Sequence, residues 1–286
     1  MIIIDEKLDI PRVILPETTN RFIKVPKEII LAKEVPEHRL SVFLYFNYNQ
    51  TWDEMVHYSP LYMIQWSGYK TTWNRSNKDN IYEKFKRCMQ WSFENGYIID
   101  FDVSKYILSN FQSSLLNYEK IRPLNNFGLL YDFEIDAINN FKSDYKPLNK
   151  SVLLLLLSYV RAFTWIRSNE ISGHSMNSQK EKPEILQTTF QSIEFFTGIP
   201  RKLVSRAMSM LESMGFVITH RMPKYKDADG GWHSDDLICV CPYKYLLKGK
   251  EVCKCTNEEY SSEKELQYGI DFVKSQTYFS KKFYQD

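Results

Sequence analysis

Apolar residues recur at helical spacing after Pro200: Val204, Ala207, Met208 and Leu211 fall at i, i+3, i+4 and i+7. That stripe predicts an amphipathic helix with one buried side. Pro200 suits its first turn, where a missing N–H costs nothing. Gly198 breaks the segment ahead of it, in which Thr189 can cap a short helix carrying Ile193 and Phe196 on one face. Ile199 plugs the turn between the two helices. Gly215 ends the longer helix, and residues 216–222 and 236–241 read as strands around a polar tip, Asp229-Gly230-Gly231.

A fainter copy of the pattern lies earlier. Ser59-Pro60 opens a helix holding Leu61, Ile64 and Gln65, and Gly68 begins a long loop, "GYKTTWNRSNKDN". The next helix is expected to bury Ile81, Phe85, Cys88 or Met89, and Phe93, and to end at Gly96 before Tyr97-Ile98. Other landmarks match in the same order. Glu28-Ile29 and Glu134-Ile135 each precede a polar loop, and Ser41-Val42 and Ser151-Val152 each enter an apolar helix. Ser41 and Ser151 suit helix N-termini, because a hydroxyl accepts from orphan amides there. Matching landmarks in one order predict an internal duplication. Pro123 and Gly128 mark the boundary. The expected organisation is a first domain with connector over 1–125, a second over 126–247, and a charged tail over 248–286 with a short helix at 262–275. The fold class expected is mainly α with small β-hairpins, an α+β arrangement.

Composition narrows the class. The 286 residues suffice for about two domains. A hydrophobic fraction of 43% and an aromatic fraction of 15% provide for a real core. The most apolar run, "SVLLLLLSYV", falls short of the ~20 residues a membrane span needs and reads as a buried helix. Met1 is followed by three isoleucines, but Asp5, Glu6 and Lys7 stop that run, so no signal peptide is expected. A cytoplasmic location with five reduced cysteines follows as the expectation. The net charge of +2 excludes a histone-like polycation but not a local basic face.

Such a face is present. With the apolar stripe inward, Arg201, Lys202, Ser205, Arg206 and Ser209 point outward, all types that bond phosphates or base edges. The stretch "TGIPRKLVSRAMSMLESMGFV" resembles the turn and recognition helix of winged helix-turn-helix proteins. The resemblance covers about thirty residues. It implies a second helix lying in the major groove and a β-hairpin wing after it, where Arg221, Lys224 and Lys226 could meet phosphates. Two residues depart from the pattern. Glu194 stands where the family usually packs a small residue between the helices, and Leu203 where it often has a polar DNA contact. In the first copy the outward set is Lys78, Asn80, Lys84, Lys86 and Arg87, with Arg75 and Trp73 in the long loop. Two winged helices in tandem, with the "VPKEII" and "SVFLYF" opening, resemble the replication initiators of plasmids and phages. That resemblance implies double-stranded DNA as partner, contacts with replication or transcription proteins, and a homodimer as one assembly. A transcriptional regulator and a protein-interaction scaffold are the other readings of the same plan.

Other chemistry is thin. Cys239-x-Cys241 and Cys253-x-Cys255 could supply four thiolates for zinc, with His233 or His220 as substitutes. A strand puts Cys239 and Cys241 on the same side, so a buried apolar role is equally simple, and no metal is expected. The five histidines form neither His-x-His nor His-Glu-x-x-His. There is no GxxxxGK[ST] loop, no Gly-x-Ser-x-Gly, and no tyrosine beside a metal-binding histidine pair. Neither enzymatic activity nor a cofactor is expected.

Overall fold

The structure, a computed structural model, describes residues 2–5, 10–13, 22–51, 55–69, 80–123, 126–141, 149–164, 184–223, 225–226, 232–233, 237–241, 266–267 and 269–271. Helices and small sheets alternate along the chain, so strands take a larger part than wings on a mainly helical fold. The chain divides into two units. The first is Arg21–Ala162 with Phe196–Ile199; the second is Met1–Asn20, Phe163–Phe195 and Pro200–Asp286. This division differs from the boundary read near residue 125, and strand pairing within the first unit explains why. No described helix is long and apolar enough to cross a membrane.

Strands β1 (Ile2–Asp5) and β2 (Ile10–Val13) pair antiparallel in the second unit. The first unit opens with β3 (Phe22–Pro26), α1 (Lys27–Leu31) and α2 (Arg39–Tyr48). It continues with β4 (Met55–Tyr58), α3 (Pro60–Trp66), α4 (Ile81–Glu94), β5 (Ile98–Ile99) and β6 (Gln112–Leu116). It ends with α5 (Tyr118–Ile121), β7 (Phe127–Tyr131), α6 (Asp132–Asn140) and α7 (Lys150–Ala162). β3 pairs antiparallel with β7, from Phe22 opposite Tyr131 to Pro26 opposite Phe127. That pairing ties residues on both sides of the expected boundary into one unit. The remaining sheet has the order β4-β6-β5.

α7 is the core of this unit. Every residue from Ser151 to Ala162 is buried, as an all-round apolar helix demands. A Cβ on Gly128 would lie 2.7 Å from the Ser158 carbonyl oxygen, so β7 rests directly on the helix backbone. Arg161 is buried on α7 and pairs with buried Glu134 at 3.0 Å. The second Glu134 oxygen accepts from the Tyr131 amide at 2.7 Å, so the carboxylate caps α6 as well. Arg39 is equally buried. Its guanidinium donates to the Ile29, Ile30, Val35 and Thr197 carbonyls over 2.6–3.2 Å. Deleting a group that holds so many carbonyls leaves each of them unsatisfied, at about 1–3 kcal/mol apiece.

Ser41 and Ser151 are not caps. Ser41 is the third residue of α2 and Ser151 the second of α7, and their hydroxyls bond each other at 2.7 Å. Asn149 takes the capping role, its side-chain oxygen accepting from the Ser151 amide at 3.0 Å.

In the second unit β8 (Glu184–Thr188) precedes α8 (Phe190–Thr197), whose last two residues belong with the first unit. Then come α9 (Arg201–Ser213), β9 (Ile218–Arg221), the pair β10 (Tyr225–Lys226) and β11 (Trp232–His233), and β12 (Leu237–Cys241). The sheet order is β8-β12-β9. Ile185, Ile218, Ile238, Val240 and Ile270 form its core. Ile270 and the other described helical residues there, 266–267 and 269–271, fall within the short helix expected at 262–275.

The order of elements repeats. β3–α1–α2–β4–α3–α4–β5–β6 is matched by β7–α6–α7–β8–α8–α9–β9–β12, and in both three-stranded sheets the last strand lies in the middle. Both long helices end before a glycine with positive φ, 71° at Gly96 and 75° at Gly215. The β5–β6 connection carries a 3-10 turn (Val103–Lys105) where the β9–β12 connection carries β10 and β11.

Candidate nucleic-acid interface

α9 is built from both ends. Thr189 caps α8, accepting from the Ser192 amide at 3.0 Å. Gly198 takes φ 76°, and buried Ile199 fills the turn. The Glu194 carboxylate accepts from the Arg201 amide at 3.2 Å. Glu194 is exposed, so it does not crowd the gap between the helices; it caps α9, and its charge suits a helix N-terminus. Val204, Ala207, Met208 and Leu211 are buried as the spacing predicts.

Opposite that stripe, Arg201, Lys202, Arg206, Ser209 and Ser213 are exposed, while Ser205 and Leu203 are half-buried. The Ser209 hydroxyl donates to the Ser205 carbonyl at 3.1 Å. Glu212, the acidic residue of α9, is turned away to β9, accepting from the Thr219 amide at 2.8 Å. The exposed face therefore carries three cations and no carboxylate. Arg221 is exposed at the end of β9, its guanidinium 4.8 Å from the Phe190 ring centre. Lys226 stands opposite Trp232 in the β10–β11 pair. Lys224 lies outside the described residues.

α4 differs. Asn80 is its N-cap, the side-chain oxygen accepting from the Glu83 amide at 2.8 Å. Phe85, Cys88, Met89 and Ser92 are buried, but Ile81 is half-buried and Phe93 is 42% exposed. The expected inward set was thus too wide: Ser92 takes the inner position, bonding the Cys88 carbonyl at 2.9 Å. The 100–111 connection folds back along this helix. The Tyr82 hydroxyl donates to the Tyr106 carbonyl, and Phe93 meets Phe101 at 6.1 Å between ring centres. Tyr82, Lys86 and Phe93 fall on one stripe at i, i+4 and i+11, so Lys86 runs beside that aromatic contact. Lys84 and Arg87 lie toward the α1–α2 connection, where their charge bears on buried His38 beside Glu37. Arg87, Gln90 and Glu94 are exposed at i, i+3 and i+7, one cation with one carboxylate, while Glu83, Lys84 and Lys86 are half-buried. Arg75 and Lys78, with Trp73, lie outside the described residues.

His38 is held between the rings of Tyr69 and Phe85, at 5.1 and 5.3 Å. Burial pushes its imidazole down to about 4, against an upward pull from Glu37. The neighbouring polar network was not legible in the sequence. Tyr69 donates to the Asn149 side chain, which donates to Glu37, and Tyr69 also meets the Ser151 hydroxyl at 2.6 Å.

Cys239 and Cys241 are buried in β12, and burial pushes the Cys239 thiol well up. Cys253 and Cys255 lie outside the described residues. Among the described residues no group of three His, Cys, Asp or Glu could hold a metal ion. No protein-family model matches the chain, and no curated protein matches it in sequence.

Proposed function

We propose that this chain is a double-stranded DNA-binding protein with two winged-helix modules in tandem, α9 being the principal reader. One observation carries the reading: the exposed face of α9 presents Arg201, Lys202 and Arg206 together on its outward side. The surrounding order supports it. A capped helix, a glycine turn, a second helix and a hairpin returning through the middle of a three-stranded sheet is how such modules present a helix to the major groove. Arg221 is a further exposed cation at the end of β9, and Lys226 belongs to β10. Duplication of the plan fits a replication initiator of a plasmid- or phage-like element gripping successive stretches of an origin; transcriptional regulation uses the same chemistry with another partner.

Binding of the full chain to genomic duplex, followed as salt is raised, tests the reading. Affinity should fall linearly with log salt, by about 0.9 for each phosphate engaged. Single alanine variants of Arg201, Lys202, Ser205 and Arg206 that all bind as the parent does would remove α9 from the interface. Loss of replication when the gene is deleted from a minimal replicon separates initiator from regulator.

A second reading applies to the α4 module. Tyr62, Ile107 and Phe111 are exposed there at 55%, 51% and 69%, and Tyr62 meets Phe111 at 5.5 Å. An exposed apolar rim suits a protein partner better than phosphates.

A further inference from the structure

The β3–β7 pair joins the opening strands of the two repeats and is separate in sequence from the helices α4 and α9 considered above. Strand alternation turns Ile23, Val25, Gly128 and Leu130 inward, where all four are buried. Phe22, Lys24, Phe127, Leu129 and Tyr131 are left on the other side with buried Pro26, and Phe22 meets Tyr131 at 6.2 Å between ring centres. Phe22 is 47% exposed, and the Lys24 ammonium lies 4.6 Å from the Phe127 ring centre. α5 packs beside β3 and adds Tyr118, 37% exposed, with the Arg122 guanidinium 4.0 Å from its ring centre. On β3–β7 and on neighbouring α5, a cation thus lies over an aromatic ring.

We propose that this face binds single-stranded nucleic acid. The exposed Phe22 ring and the Arg122 guanidinium plane lying over Tyr118 can each stack on an unpaired base, and the Lys24 and Arg122 charges neutralise the phosphates. A duplex keeps its base faces inside the stack and offers such rings nothing. Strand geometry helps the fit: Phe22 and Lys24 stand about 7 Å apart on the same side of β3. The nearby carboxylate of Glu28 is engaged by the Tyr97 hydroxyl at 2.8 Å and by Lys120 at 3.8 Å, and the Lys24 ammonium also donates to the Pro123 carbonyl at 3.3 Å. A protein partner would gain little from cations already laid over rings; a polyanion with π-faces uses both. The inference does not rest on α9 reading duplex, although a protein that opens DNA would have use for both surfaces.

Full-length chain is titrated against labelled oligothymidylate and against a labelled duplex, at low ionic strength, by fluorescence anisotropy. Phe22→Leu and Tyr118→Leu keep apolar bulk at exposed positions and remove the ring. Each should weaken oligothymidylate binding about 10-fold and leave duplex binding unchanged. Phe22→Trp and Tyr118→Trp should bind the single strand as the parent does. Parent protein that fails to bind oligothymidylate would overturn the inference, as would leucine variants that bind it normally. Single-strand binding lost in an Arg201, Lys202 and Arg206 triple alanine variant, but not in the leucine variants, would reassign it to α9 and equally overturn it. Duplex binding that fails in the parent while single-strand binding persists and responds to the leucine variants supports this inference and sinks only the duplex reading.

Discussion

α9 keeps Arg201, Lys202 and Arg206 in solvent, whereas on α4 Lys84 and Lys86 are half-buried and exposed Arg87 shares its stripe with exposed Glu94. The two helices bury comparable apolar stripes, end before a positive-φ glycine, and feed sheets with the same strand order. Their surroundings set them apart. Three residues, Gly198 to Pro200, separate α8 from α9, while residues 67–80 separate α3 from α4. The connection after β5 folds Phe101 and Tyr106 onto Phe93 and Tyr82 of α4. A duplicated skeleton thus preserves what the core requires and leaves the outer face of each copy open to a different use. A Lys/Arg count treats the copies as alike, since Lys84, Lys86 and Arg87 number as many cations as α9 exposes.

The largest effect should come from the α9 face. Replacing Arg201, Lys202 and Arg206 together with alanine should lower duplex affinity about 100-fold or more, since each side chain meeting a base is worth about 1–3 kcal/mol. The salt slope should fall by about one for each of the three that meets a phosphate. Gel-shift titration at several salt concentrations measures both. A triple variant with parental affinity would erase the distinction between the copies.

The next effect lies on the α4 side and concerns stability. His38 is buried against Phe85 of α4, and its pKa is pushed from the ordinary 6.5 to about 4. The folded chain therefore keeps the ring neutral while the unfolded chain protonates it below pH 6.5. The unfolded state binds the extra proton between those values, so stability falls as pH drops through the window and levels off below pH ~4. Between pH 6.5 and 5 the loss should be about 2 kcal/mol. Urea unfolding at the two pH values reads it, and His38→Leu should abolish that slope. A parental chain equally stable at both would mean that His38 is open to solvent.

Much of this was legible beforehand. The apolar stripe of α9, the cap at Thr189, the glycines at 198 and 215, and the outward cations all follow from local spacing, because i, i+3 and i+4 neighbours face one way whatever surrounds the helix. Long-range geometry was not. Pairing of β3 with β7 spans about a hundred residues and is invisible to periodicity, so the compact units do not follow the boundary read near residue 125, although the second run of the repeat begins at β7. Ser41 and Ser151 matched a capping pattern, yet they meet each other because α2 packs on α7. Phe93 fitted the stripe of α4 and still lies outside, since the 100–111 connection supplies its neighbours.

Glu194 offers a smaller test with two opposed readouts. Its carboxylate caps α9 through the Arg201 amide, so Glu194→Ala should cost about 1 kcal/mol of stability in urea unfolding. The same change removes a negative charge beside the cationic face, and duplex affinity should rise a few-fold at low salt. Both falling together would mean that the carboxylate positions the helix for binding.

The smallest effect is expected where the sequence alone shows three cations. Alanine at Lys84, Lys86 and Arg87 together should change duplex affinity by less than about 3-fold, a difference of roughly 0.6 kcal/mol. Lys84 and Arg87 lie near Glu37, and Lys86 runs beside the contact of Tyr82 and Phe93 with the 100–111 connection. A phosphate approaching the exposed stripe would also meet Glu94, and the like charge there opposes what Arg87 attracts. The salt slope is the sharper measurement, because it counts phosphates engaged regardless of overall affinity. A slope unchanged within half a unit leaves α4 outside the duplex contact and gives its module to a partner that meets Tyr62, Ile107 and Phe111. A slope reduced by two or more would mean that α4 grips the backbone in spite of its carboxylates, and the two copies would then bind one duplex together.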